Sequence, residues 1–187
     1  MWKETFRMLI DIETGIYASL TLYIFVLIIR CMKHKHLSRS LNKKHELLVF
    51  LAWVYFSGLT VLTLLPIQCP PAKLNIPISS MIQLNPLSAL YPSRGFSLRN
   101  ILGNIILFLP LIPILSIVRK RIFRLRNAIL ISLLFSCSIE FMQLVENTSG
   151  FCSYYFRQID SADVILNIIG GILGFSLYSL WKSKSEH

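Results

Sequence analysis

The chain has 187 residues, of which 54% are apolar and 15% charged, and its mean hydropathy is +0.60. A soluble domain of this length carries about 25% charged residues because its surface must be wetted, so this composition excludes an ordinary water-soluble protein. The net charge is +10, but the basic residues form short runs between apolar blocks. That placement suits anionic lipid headgroups, so we expect membrane lipids as partners and no nucleic acid.

The apolar residues fall into five blocks, most of them close to the ~20 residues that cross a bilayer as a helix. In chain order they cover residues 15–29, 47–65, 101–118, 128–145 and 164–181. The first block follows Asp11 and Glu13 and is the weakest spanning candidate because it is the shortest. Pro110 and Pro113 predict a kink in the third block. The predicted fold is all-α, a polytopic membrane protein with about five transmembrane helices in a small bundle.

The loops between the blocks predict how the chain is oriented in a cell membrane. Alternate loops and the tail hold thirteen Lys and Arg on one side, against six on the other. Because basic residues are retained in the cytoplasm, we expect the amino terminus outside and the carboxy terminus inside. The predicted divisions are 1–46, an N-terminal helix with a basic cytoplasmic loop, 47–181, the membrane domain, and 182–187, a cytoplasmic tail.

Polar residues within or next to the spanning helices gather at one level, the predicted outer face. They are Asn100, Asn104, Glu140, Gln143, Arg157, Asp160, Asp163 and Asn167. Burying such groups in a membrane is costly, so each needs a partner or a purpose. Glu140 lies about five residues, or ~7–8 Å, inside the predicted end of its helix, and Arg157 is its expected partner. These residues are the candidates for a functional site.

A structural role stays open for several of the same residues. Asp160 and Asp163 fit the N-cap and N3 positions at the start of the fifth helix. Asn104 and Asn167 fit hydrogen bonds between helices. The glycines that follow Asn167 along one stripe of that helix indicate close helix packing; they are Gly170, Gly171 and Gly174.

The four cysteines show no metal-ligand spacing, and we expect neither a metal nor a cofactor. On the predicted topology Cys69 and Cys152 both lie outside the membrane, so they either pair as a disulfide or stay free. Arg30 and Lys33 follow the first apolar block where a signal peptide would carry a small-residue cleavage site. No cleavable signal peptide is therefore expected.

Three segments resemble motifs of the VanZ-like family. Residues 103–111 read GNIILFLPL, similar to that family's G-N-I-L-L-F-x-P-L, and residues 138–143 read SIEFMQ, similar to S-x-I-E-x-x-Q. Residues 157–174 match R-x-x-D-x-x-D-x-x-x-N-x-x-G-G-x-x-G at every specified position. The resemblance covers residues 53–180. It departs at 83–87, where QLNPL stands for the family's N-L-I-P-F, and at Ile112, which replaces a glycine.

The resemblance implies a role in the cell envelope and an association with glycopeptide resistance of the teicoplanin type, without a defined reaction. We therefore expect action at the outer face on a lipid, a lipid-linked cell-wall precursor or a glycopeptide. In an enzymatic version Glu140 or Asp163 is the general base and Arg157 binds an anionic group. The substrate-binding candidates are Asn104, Gln143, Asp160 and Asn167. The alternative is a non-catalytic membrane module whose polar cluster is structural, and the sequence leaves both open.

Overall fold

The structure is a computed structural model that describes residues 7–36, 43–65, 67–69, 77–87, 98–120, 123–148 and 158–185. It divides into two compact units, Met1–Pro71 and Ala72–His187. The divisions predicted after residues 46 and 181 rest on the expected membrane topology, whereas these two units are defined by contacts within the structure. The predicted divisions therefore stay predictions.

The first unit contains two long helices and a short strand pair. Its elements are β1 (Arg7–Ile10), α1 (Ile12–His36), α2 (Lys43–Leu64) and β2 (Ile67–Cys69). β1 pairs antiparallel with β2, which joins the start of α1 to the end of α2. Asp11 begins α1, because its carboxylate accepts the backbone N–H of Thr14 at 2.7 Å. Hydrogen bonds from the side chain and from the backbone of Thr14 lower the pKa of the Asp11 carboxyl.

Polar contacts join α1 and α2 at two levels. The Ser19 hydroxyl donates to the Ser57 hydroxyl at 2.5 Å, and the Trp53 indole N–H donates to the Ser19 hydroxyl at 3.1 Å. Near the connection between the helices, Arg30 forms a salt bridge of 2.7 Å with Glu46. These contacts satisfy polar groups that would otherwise face an apolar environment, where each unsatisfied group is costly.

The second unit holds the other helices and a second strand pair. Its elements are α3 (Ile78–Met81), β3 (Ile82–Gln83), α4 (Leu98–Phe108), α5 (Leu111–Arg119), α6 (Leu125–Thr148), β4 (Ile159–Asp160) and α7 (Ser161–Ser185). The helix expected over 101–118 is interrupted after Phe108, and Pro110 immediately precedes α5. The predicted kink is therefore confirmed. α7 packs against α4, α5 and α6 and so forms the centre of this unit.

Five helical spans in the described residues are long and apolar enough to cross a membrane. They are Ile12–Met32, Lys44–Leu64, Leu98–Arg119 (the consecutive α4 and α5), Leu125–Thr148 and Ser161–Ser185. The first is 21 residues long, so the shortest predicted block is long enough to span. The predicted class, an all-α multi-pass membrane protein, is confirmed.

The second unit exposes many large apolar side chains and buries several polar ones, unlike a soluble domain. Large apolar side chains such as Leu134, Phe141 and Leu177 are exposed, as expected of helices that face lipid. Between the helices lie small and polar side chains together with a few large apolar ones, of which Phe108, Leu111 and Ile112 are fully buried. The buried polar residues of this unit are Ser116, Ser132, Ser136, Glu140, Asn147 and Asn167.

Three glycines let α7 approach its neighbours closely, as their stripe predicted. A Cβ at Gly170 would collide with the Ile105 carbonyl oxygen, and one at Gly174 with the Leu109 carbonyl oxygen. At Gly171 it would meet the Ser132 hydroxyl. Since two of these obstacles are backbone atoms, a side chain at Gly170 or Gly174 would force helices apart.

Candidate functional site

The candidate site begins at a hydrogen bond between α4 and α7. The side-chain amide of Asn104 donates to Oδ1 of Asp163 at 2.5 Å. Asp163 is the third residue of α7, whereas Asn104 lies six residues into α4. α4 therefore extends past the start of α7, and the half-buried Asp163 carboxylate lies against the side of α4.

Asp160 caps α7. Its Oδ1 accepts the backbone N–H of Ala162 at 2.9 Å, which satisfies one of the unpaired donors at a helix start. The N-cap interpretation of Asp160 is thus confirmed. Asp163 occupies the N3 position expected of it, but its carboxylate accepts a hydrogen bond from another helix. Asp163 therefore joins two helices in addition to lying in the first turn of α7.

Glu140 on α6 lies beside these two residues. Its side chain is 8% exposed, the backbone N–H of Asp160 interacts with its carboxyl group, and the carboxyl of Asp163 is close enough to act on its charge. Among the described residues, none hydrogen-bonds to Glu140 Oε2. Three carboxyl groups thus lie near one another where α7 begins, and we call Glu140, Asp160 and Asp163 the cluster.

The depth expected for Glu140 needs correction. α6 continues to Thr148, three residues beyond the predicted end of the helix. Glu140 is consequently eight residues from that end, about 12 Å along the axis rather than 7–8 Å. It nevertheless lies level with the first turn of α7, because α6, like α4, extends past the start of α7. Hydropathy missed these residues because Glu146 and Asn147 follow the apolar block.

One turn further along α7, Asn167 joins α7 to α6. Its side-chain amide donates to the Ser136 hydroxyl at 2.9 Å, and both side chains are buried, with exposures of 4% and 0%. The interhelical role expected for Asn167 and Asn104 is therefore confirmed. Asn167 Oδ1 has no hydrogen-bond partner within the part of the chain that the structure describes.

These contacts form a polar seam between the antiparallel helices α6 and α7. Ser132, Ser136 and Glu140 follow one another at four-residue steps on α6. Facing them on α7, at the same step, are Gly171, Asn167 and Asp163. Sequence reasoning missed Ser132 and Ser136, although their spacing from Glu140 places all three on one helix face.

A strand pair brings the first connector of this unit to the site. β3 pairs in parallel with β4, so that Ile82 lies opposite Ile159 and Gln83 opposite Asp160. The Gln158 side chain also donates to the Ser80 carbonyl oxygen at 3.4 Å. This contact could not be predicted from the sequence, because a two-residue strand pair is too short for an alternating pattern. Gln83 is therefore a further residue beside the cluster.

Gln143 and Arg157 are the remaining predicted site residues. Gln143 is half-buried and lies three residues after Glu140, hence on the same side of α6. Arg157 and Cys152 lie outside the described residues, so the expected pairing of Arg157 with Glu140 and the possible Cys69–Cys152 disulfide stay predictions. In the described ranges, no group of His, Cys, Asp and Glu is placed to hold a metal ion together.

The polar groups of the site can accept hydrogen bonds, and its carboxylates can accept protons. Ionised carboxylates and the carbonyl oxygen of an amide only accept hydrogen bonds, and here Asn104 fixes the position of one carboxylate. Such groups can remove a proton from a nucleophile or bind a donor. They can equally well fix how helices pack.

The chain is similar to a known protein family over most of its length. The family model described as VanZ/LLP1 matches residues 49–182, which include α4, α5, α6, all but the last turn of α7 and every residue of the cluster. No curated protein and no solved structure matches the chain. The matched region covers well over half of the sequence and confirms the resemblance carried by the three motifs. The chain belongs to the VanZ/LLP1 family.

Proposed function

We propose that this membrane protein acts from the outer membrane face on a lipid, a lipid-linked cell-wall precursor or a lipophilic glycopeptide of the teicoplanin type. The observation that carries the proposal is the buried Glu140 carboxyl beside Asp163, with an oxygen to which no described residue hydrogen-bonds. A carboxyl group kept between apolar helices is costly unless it has a function or a partner. The bias of basic residues between the loops supports the outer orientation.

In the catalytic version, Glu140 or Asp163 takes a proton from a hydroxyl group or a water molecule as its oxygen displaces a leaving group from the substrate, and the departing group then receives that proton. Asn104 holds the Asp163 carboxylate in place, while Asp160 begins α7 and supplies its backbone N–H to Glu140. Gln143 and Asn167 orient the substrate, and Arg157 binds an anionic group such as phosphate.

A second candidate is a non-catalytic membrane module. It is favoured by the Asn104–Asp163 and Asn167–Ser136 hydrogen bonds, which join α4 and α6 to α7. Hydrogen bonds of this kind between transmembrane helices stabilise a bundle by ~0.6–2 kcal/mol each. In this version the cluster fixes the packing of α7, and the protein acts through partners.

Profiles of lipids and lipid-linked cell-wall precursors test the proposal. They should be compared in cells that lack the protein, cells that express it and cells that express Glu140→Gln at equal membrane abundance. We expect one lipid or precursor species to change with the wild-type protein and to return to the protein-free level with Glu140→Gln. Glu13→Gln is the matched control because Glu13 is an exposed carboxylate on α1, outside the site. An unchanged profile with the wild-type protein, together with unchanged glycopeptide susceptibility, would contradict the proposal.

A further inference from the structure

The atoms that the site leaves available are hydrogen-bond acceptors. Glu140 Oε2 and Asn167 Oδ1 are buried, and among the described residues neither has a hydrogen-bond partner. Both side chains are more than nine-tenths buried. They lie on the facing sides of α6 and α7, one helical turn apart in level, because Asn167 bonds to Ser136, which is one turn from Glu140. A ligand that completes this site must therefore donate hydrogen bonds.

The negative charge of the cluster indicates which kind of hydrogen-bond donor the ligand carries. Asp163 and Asp160 lie close enough to Glu140 to act on its charge, so negative charge accumulates where α7 begins. Arg157, the partner expected for Glu140, would offset one of these three charges, so a neutral hydroxyl group would satisfy the acceptors but still leave negative charge uncompensated. A positively charged donor satisfies both requirements, because an opposite charge is favoured most where water is largely excluded.

An ammonium group fits the geometry better than a metal ion. The described His, Cys, Asp and Glu residues form no group that could hold one metal ion together, as metal coordination requires. An ammonium group needs fewer protein ligands, because its three donors on one nitrogen can be shared between two neighbouring carboxylates, here Glu140 and Asp163.

We propose that the ligand of this site carries a protonated primary amine, which the Glu140 and Asp163 carboxylates bind at the start of α7. This inference rests on the proposed function and names the chemistry of its ligand. The amine belongs either to a lipid headgroup or to an amino sugar or other amine presented from the aqueous side. Both sources share the ammonium group, and the binding experiment separates them.

The experiment uses the purified full chain in a neutral detergent and two matched pairs of probes. One pair is dioleoyl phosphatidylethanolamine and its N-acetylated form, measured by native mass spectrometry. The other is glucosamine and N-acetylglucosamine, measured by the shift in melting temperature. In each pair acetylation removes the positive charge and changes little else. We expect the amine to bind at least tenfold better than its acetylated form in one pair, and that pair identifies the source.

Substitutions at Glu140 and Asp163 test whether the preference for the amine over its acetylated form arises at the proposed site. Glu140→Gln and Asp163→Asn should each reduce it at least fivefold while the protein still melts cooperatively, whereas Glu13→Gln should retain it. Equal binding of both members in both pairs, or a preference that survives in both site variants, would overturn the inference. If the preference is absent but the wild-type protein still changes the lipid or precursor profile, this inference fails and the proposed function stands.

Discussion

The side-chain amide of Asn104 on α4 donates a hydrogen bond of 2.5 Å to Oδ1 of Asp163 on α7. The same carboxylate lies close to Glu140 on α6. Asp163 is therefore a common neighbour of two helices, and its side chain contributes both to packing and to the charge of the cluster.

A double-mutant cycle measures how strongly Asn104 and Asp163 are coupled. Asn104→Ala and Asp163→Ala should each destabilise the protein, and the double variant should lose less than the sum. The expected coupling free energy is ~0.6–2 kcal/mol, as for other hydrogen bonds between transmembrane helices. Denaturation in detergent micelles provides the free energies of unfolding. The control cycle pairs Asp163→Ala with Ser138→Ala, because the exposed Ser138 hydroxyl bonds to a carbonyl of its own helix. Coupling as large in the control cycle would contradict a specific contact.

Glycine variants test the close packing of α7. Gly174→Ala and Gly170→Ala should each lower the free energy of unfolding by about 1–3 kcal/mol, because the added Cβ collides with backbone of the preceding helices. Gly103→Ala is the matched control, since no atom of the described residues outside its own stretch of helix lies within 4 Å of a Cβ built there. It should be neutral or slightly stabilising, as alanine favours a helix over glycine. Membrane abundance and melting temperature are the measurements. Unchanged stability of both Gly170→Ala and Gly174→Ala would disprove the packing role.

The extent to which sequence predicted this structure depended on the kind of signal. Hydropathy predicted all five spanning helices that the described residues contain, since about 20 apolar residues average out local detail. It placed the end of α6 too early, because Glu146 and Asn147 continue the helix without being apolar. Asp160 was recognised as a cap because capping is local in sequence.

Contacts between distant segments were harder to predict. The β3–β4 pair joins Gln83 to Asp160 through two residues on each strand, which leaves no periodic pattern in the sequence. Ser136 was missed because serine occurs on both faces of α6: Ser136 is buried against Asn167, whereas Ser138 is exposed. The sequence feature that distinguishes Ser136 from Ser138 is its four-residue spacing from Glu140.

Electrostatic coupling between Glu140 and Arg157 follows from the sequence and stays a prediction, because Arg157 lies outside the described residues. Removing one partner of a desolvated charge pair typically costs more than removing both, since the remaining charge is uncompensated. Glu140→Gln and Arg157→Gln should therefore each impair function or abundance, and the double variant should be no worse than the more damaged single variant. Losses that add strictly in the double variant would show that the two residues do not interact.

Cysteine labelling in intact cells tests the orientation. In a background without the native cysteines, positions 73 and 157 should react with an impermeant thiol reagent, whereas positions 35, 121 and 184 should react only after the cells are opened. The expectation follows from the bias of basic residues toward the cytoplasm. Labelling of position 121 from outside intact cells would reverse the orientation and place the site at the inner face.

Asp163→Asn most directly separates a functional cluster from a structural one. Asparagine retains a side-chain oxygen that can accept the Asn104 hydrogen bond, but it loses the negative charge and the basicity of a carboxylate. The decisive measurement is the protein-dependent change in lipid or precursor profile per unit of folded protein in the membrane, for this variant against wild type. We predict normal abundance with at least a tenfold loss of that change. A variant that is equally abundant and equally active would contradict the claim that these carboxylates perform the function.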